Sequence, residues 1–204
     1  MFFIIESDER PDGYAVLSES NDWVMWLHRN IPATLANPVR SRLISNLKHL
    51  LVGLELKAAL IRPHRHRSAN ERPVLFEPYF QNLILEFCVG SFSVLEGLGA
   101  AHWLAQQELD GGDGPYVSRE RWVSAMCSVY DETNEFALRE NLYRTLAIRD
   151  RLHQDRLGAR EEIDWHAFSY DDAFIPACEA IRTLLRREAD AVPENSILQL
   201  SPTA

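Results

Sequence analysis

Lysine is nearly missing from this 204-residue chain: of its 21 basic residues only Lys48 and Lys57 are lysines, which leaves 19 arginines. Cysteine is also scarce. Cys88, Cys127 and Cys178 are odd in number, far apart and never arranged as CxxC. A disulfide framework and a zinc site of ordinary spacing are therefore not expected, and each cysteine reads as a buried, reduced thiol. Unbroken apolar runs reach only about five residues, against the ~20 that a membrane-spanning helix needs, so no membrane partner is expected. The opening Met1-Phe2-Phe3-Ile4-Ile5 turns acidic at Glu6 without a basic region or small-residue cleavage site, and a cytoplasmic location follows as the expectation. A phosphate-binding glycine loop, a nucleophile elbow and a dinucleotide fingerprint are all lacking, which sets aside the common nucleotide-dependent enzymes and hydrolases. There is no Glu-x-x-His pair of the kind that holds metal inside a bundle, so neither a metal nor another cofactor is expected. The net charge of −9 opposes non-specific binding to phosphate backbones and membranes, but it leaves room for a local basic site.

What is present is a helical pattern. With 46% hydrophobic and 25% charged residues, the composition suits one domain with an ordinary core. Residues 1–21 read as an appendage. Phe2 to Glu6 and Tyr14 to Glu19 are short β-prone runs around the turn formers of 7–13, which suggests a small hairpin. Residues 22–190 read as the bundle. A first helix covers Trp23 to Ile31. Asn37-Pro38 signals the start of a second, with Asn37 as N-cap, and Leu43, Leu47, Leu50, Leu54 and Ile61 form its inward stripe. Phe76, Phe80, Leu83, Phe87, Val94 and Leu98 mark a long third helix. Gly90 and Gly97 are seven apart on one face of it, and close approach of a neighbouring helix is the expected compensation for their cost of about 1 kcal/mol each. Ser118 can cap the next helix, with Val117 and Trp122 as a staple. Another helix runs from about Asn134 to Arg156. A last one starts near Asp171-Asp172, carries Pro176 in its first turns, and shows Phe174, Cys178, Ile181, Leu185 and Glu188 at helical spacing. Residues 191–204 are polar and Pro-containing, and read as a flexible tail. Short connections imply antiparallel neighbours, hence an all-α, up-and-down bundle of about four long helices with short additions.

One stretch has chemical interest. Projected at about 100° per residue, Leu138, Leu142, Leu146, Arg149 and His153 fall within one arc roughly 80° wide. Arg149 and His153 are thus one turn apart on the face the leucines direct inward. Burying that pair requires an acid, a cleft or a ligand in compensation. In one reading Arg149 pairs with a carboxylate from a neighbouring helix, and His153 makes a single bond where a cation suits the helix end. In the other, the guanidinium forks onto a phosphate while the imidazole moves protons.

Ile148-Arg149-Asp150-Arg151-Leu152-His153, late in a helical bundle, resembles the HEPN superfamily of small helical domains. The resemblance implies a dimeric, metal-independent ribonuclease. Arg149 would be the motif arginine, Asp150 its polar follower and His153 the histidine. Only three residues separate Arg149 from His153, whereas the family spacing of four to six is met by Arg42 with His49 and Arg160 with His166.

The basic loop Arg62-Pro63-His64-Arg65-His66-Arg67 is a second candidate, either for binding an anionic ligand or as a solvated surface. Trp165-His166 reads as an aromatic anchor for the connection that precedes the last helix. Two functions therefore stand as expectations. One is an HEPN-like ribonuclease or RNA-binding homodimer. The other is a non-catalytic helical module with a buried Arg/His link and a protein partner.

Overall fold

The computed structural model describes residues 2–4, 14–61, 73–130, 135–150 and 165–199. It is an all-α, up-and-down bundle in which, among the described residues, six helices follow one another: α1 (Val24–Asn30), α2 (Asn37–Leu60), α3 (Pro73–Gln106), α4 (Arg119–Tyr130), α5 (Glu135–Asp150) and α6 (Ile175–Arg186). Ahead of them, β1 (Phe2–Ile4) and β2 (Tyr14–Val16) pair antiparallel, Phe2 opposite Val16; residues 5–13 lie outside the described residues.

The third helix organises the rest. It packs against α2, α4, α5 and α6, and Ile84, Phe87, Cys88, Val94, Leu95 and Leu98 along it are fully buried. An 18-residue window within Tyr79–Gln106 reaches a mean hydropathy of 1.6, so this stretch is long and apolar enough, by length and composition, to cross a membrane. Counting unbroken apolar runs overlooks this, because isolated glycines, serines and glutamates interrupt the runs but are outweighed in the average by the apolar residues around them. In the bundle, four neighbouring helices cover those apolar faces. At about 1.5–3 kcal/mol for each large side chain fully buried, the burial along this central helix contributes substantially to stability.

Gly90 and Gly97 do face a neighbour. A Cβ at Gly90 would meet Leu54, and one at Gly97 would meet Leu43 and Leu47, all on α2. Of the stripe predicted for α2, Leu47, Leu54 and Ile61 are buried, whereas Leu43 and Leu50 are only half-buried and the adjacent Ile44 and Leu51 take the inward face. Its start differs by one residue: Ala36 occupies the cap position without a side-chain bond, and Asn37-Pro38 forms the first turn. Ser118 directly precedes α4, and its carbonyl accepts from the Trp122 N–H at 3.1 Å.

The last helix begins with a π-helical turn, Tyr170–Phe174, in which Ser169 Oγ accepts from the Asp172 N–H at 3.0 Å. Pro176 then sits in the first turn of α6, a position at which proline is tolerated. Residues 191–199, expected from their polar composition to fray, instead close the core. Ala191, Val192 and Leu198 are buried; the 3-10 turn Ala189–Ala191 meets α1, and the turn Ile197–Gln199 meets α2 and α6. Few apolar side chains are needed for this when each one is fully covered.

Candidate functional site

The leucine stripe of α5 behaves as projected. Leu138, Leu142 and Leu146 are buried, while Arg144 points outward and pairs with Glu140 one turn earlier at 2.6 Å. Arg149 lies at the edge of the stripe with its side chain 32% exposed. Its guanidinium carbon stands 5.1 Å from the ring centre of Phe92 on α3, and Nη1 donates to Asp150 Oδ1 at 3.0 Å. Asp150 also pairs with Arg119 at the start of α4, Nη2 to Oδ2 at 3.2 Å. Phe92 in turn meets Trp122 edge-on at 5.7 Å. A guanidinium on a ring face, with one carboxylate shared between two arginines, joins α3, α4 and α5 at one place.

This arrangement corrects one expectation. The acid beside Arg149 comes from the next residue of its own helix, and the neighbouring helix supplies a second cation. Nor is the pair sealed from water, so its contribution is that of a part-exposed link. His153 lies outside the described residues, as do Arg62, His64, Arg65, His66, Arg67 and Arg160. Arg42 and His49 are both exposed on α2, where Arg42 Nε donates to the Pro38 carbonyl at 3.3 Å. Trp165 is exposed, and the aromatic that anchors its segment is the buried Phe168, 5.3 Å away.

The buried polar network of the domain lies elsewhere. His102 on α3 is 7% exposed. Its Nε2 stands 3.1 Å from the Tyr130 hydroxyl at the end of α4, and the two rings meet edge-on at 5.4 Å. The Asn30 carbonyl of α1 accepts a further bond from the imidazole. The guanidinium of Arg187, just past α6, lies 5.5 Å from the Tyr130 ring centre, and the Arg187 carbonyl accepts from Trp26 Nε1 at 3.0 Å. Asn30 Nδ2 closes the group by donating to the Trp26 carbonyl at 2.9 Å. Burial, aided by the Arg187 charge, pushes the imidazole down to about 4. Burial raises the Tyr130 hydroxyl well above its ordinary value. Near pH 7 the imidazole is thus neutral and a weak base, suited to holding helices together rather than to moving protons. Its sequence signal was its spacing: His102 follows Leu95 and Leu98 by seven and four residues, on the same buried face.

Glu55 is a second polar group that the leucine stripe concealed. It is 0% exposed on α2. Oε2 accepts from the Ser18 backbone N–H and Oε1 from the Ser18 hydroxyl, each at 3.0 Å, and Ser196 bonds it from the C-terminal segment. Burial raises its carboxyl above the usual range, against the opposing pull of these bonds. Leu51, one turn earlier, marks the same inward face.

Among the described residues no group of three or more His, Cys, Asp and Glu side chains is placed to hold a metal ion. All three cysteines are buried and none forms a disulfide. Burial pushes the thiols of Cys88 and Cys178 up to about 12, which removes them as nucleophiles at neutral pH. Comparison of the chain with family models, curated proteins and solved structures finds no match.

Proposed function

We propose that this chain is a non-catalytic helical interaction module, in which the inward arginine and histidine side chains hold the bundle together and the surface binds a protein partner. The observation that carries this reading is the engagement of Arg149: its guanidinium lies on Phe92 and bonds Asp150, which Arg119 also holds. An arginine that must grip a scissile phosphate needs its donors aimed at an open site. Here one of them, Nη1, is given to a carboxylate, and the guanidinium rests over a ring. The buried imidazole of His102 serves architecture in the same way. The surface offers contact groups instead, among them Tyr116, 85% exposed, and Leu109 on the connection between α3 and α4; tyrosines of this kind are enriched in protein interfaces.

The test is to incubate the purified chain, and its Arg149→Ala variant, with labelled single-stranded RNA while measuring thermal unfolding of both. This reading expects no cleavage and no salt-sensitive binding by either protein, and a lower melting temperature for the variant. RNA cleavage by the parent chain that vanishes in an equally stable variant would establish the ribonuclease reading instead.

A further inference from the structure

We propose that His102 is held as the neutral Nδ1-protonated tautomer and forms an acid-sensitive clasp joining the ends of α1, α3, α4 and α6. The assignment follows from what each partner can do. The Asn30 carbonyl only accepts, so the ring nitrogen facing it carries a proton. Nε2 is occupied by the Tyr130 hydroxyl at 3.1 Å, which leaves Nδ1 as the donor to Asn30. Nε2 then carries a lone pair, and Tyr130 donates to it. Both ring nitrogens are satisfied only in this tautomer with this hydroxyl orientation.

Among the charged groups on the elements packed against α3 here, Arg187 opposes a second proton on the ring. Tyr130 comes from α4, and Arg187 lies past the end of α6 over the Tyr130 ring. Arg29 of α1 is tied to Glu188 and Asp190 at 3.3 and 2.7 Å. Arg40 of α2 donates to the His28 carbonyl at 2.7 Å, and α5 meets α3 further along, at Phe92. A second proton on the ring would turn both nitrogens into donors. The Tyr130 hydroxyl would then have to rotate to accept, and a new positive charge would stand near Arg187. The sign is that of a group whose folded value is depressed: its contribution is complete above the unfolded value of 6.5 and is lost as pH falls toward about 4. Apolar burial of Trp23, Trp26 and Leu27 still holds α1, so the clasp lowers the stability of the whole fold rather than releasing one helix.

Two measurements on the full chain decide the matter. Nitrogen NMR of the imidazole at pH 7 reads the tautomer directly, and Nδ1–H is expected; Nε2–H, or titration of His102 near 6.5, overturns the proposal. Urea unfolding at pH 7 and pH 4.5 is then compared among the parent chain, His102→Gln and Asp190→Asn. Glutamine keeps an acceptor for Tyr130 and cannot titrate. Its folding constant should fall less than that of the parent between the two pH values, by roughly 50-fold, while Asp190→Asn should retain the parent's dependence on His102. Equal acid losses in the parent and His102→Gln sink the clasp. If His102→Gln does not fold, the tautomer and titration of the parent decide alone.

Discussion

The carbonyl oxygen of Trp122 on α4 lies so near Gly99 on α3 that a Cβ added there would stand 2.7 Å from it. That neighbour is backbone and cannot turn aside. Gly90 is tight in a different way, since its added Cβ would meet the flexible end of Leu54 at 3.0 Å. Gly99→Ala should therefore cost about 2–3 kcal/mol through overpacking. Gly90→Ala should stay within about 1 kcal/mol of the parent, because alanine's better helix propensity offsets the small shift of Leu54. Urea unfolding of the two variants checks the order, and equal losses would show that α4 can move away from α3.

Glu55 sets a stability limit at the other end of the pH scale from His102. Its folded value is raised, so its contribution is complete below the ordinary carboxyl value of 4.5 and is lost as pH rises through the folded one. Glu55→Gln keeps a neutral group of the same shape. It should be more stable than the parent at pH 8, with the difference closing toward pH 4. Glu55→Ala should lose about 2–4 kcal/mol, since the Ser18 N–H and two hydroxyls would lose their acceptor. Chemical denaturation across pH 4–8 measures both, and a Glu55→Gln advantage that grows on acidification contradicts the sign.

The helices were legible in the sequence wherever apolar spacing ran unbroken. The leucines of α5, the face of α6 and the paired glycines of α3 lie where their periodicity places them, while on α2 the buried face is shifted by one residue at Ile44 and Leu51. Legibility failed where one polar residue occupied an apolar face. His102 and Glu55 continue stripes of leucine, and nothing local distinguishes a satisfied buried polar group from a solvated one; their partners are Tyr130, Asn30, Ser18 and Ser196, all distant in sequence. The surroundings of Arg149 were half legible. Its place at the inner edge followed from helical projection, but its stacking on Phe92 and the arrival of Arg119 are products of tertiary packing.

The C-terminal segment provides a third prediction. Leu198 is fully buried although its surroundings in sequence are polar. Leu198→Ala should cost about 2–4 kcal/mol, the usual range for a cavity of this size, and thermal unfolding would register it. A loss below about 0.5 kcal/mol would mean that residues 191–199 fray, as their composition alone suggests.

The most direct test of the central claim, that the Arg149 guanidinium is engaged in holding α5 to α3, is a double-mutant cycle of Arg149→Met and Phe92→Leu read by unfolding free energy. Methionine keeps the apolar stem of the side chain and removes the cation. The account predicts a favourable coupling of about 0.5–1.5 kcal/mol between the two positions. Additive losses, with Arg149→Met as stable as the parent chain, would contradict it and leave the guanidinium free for a ligand.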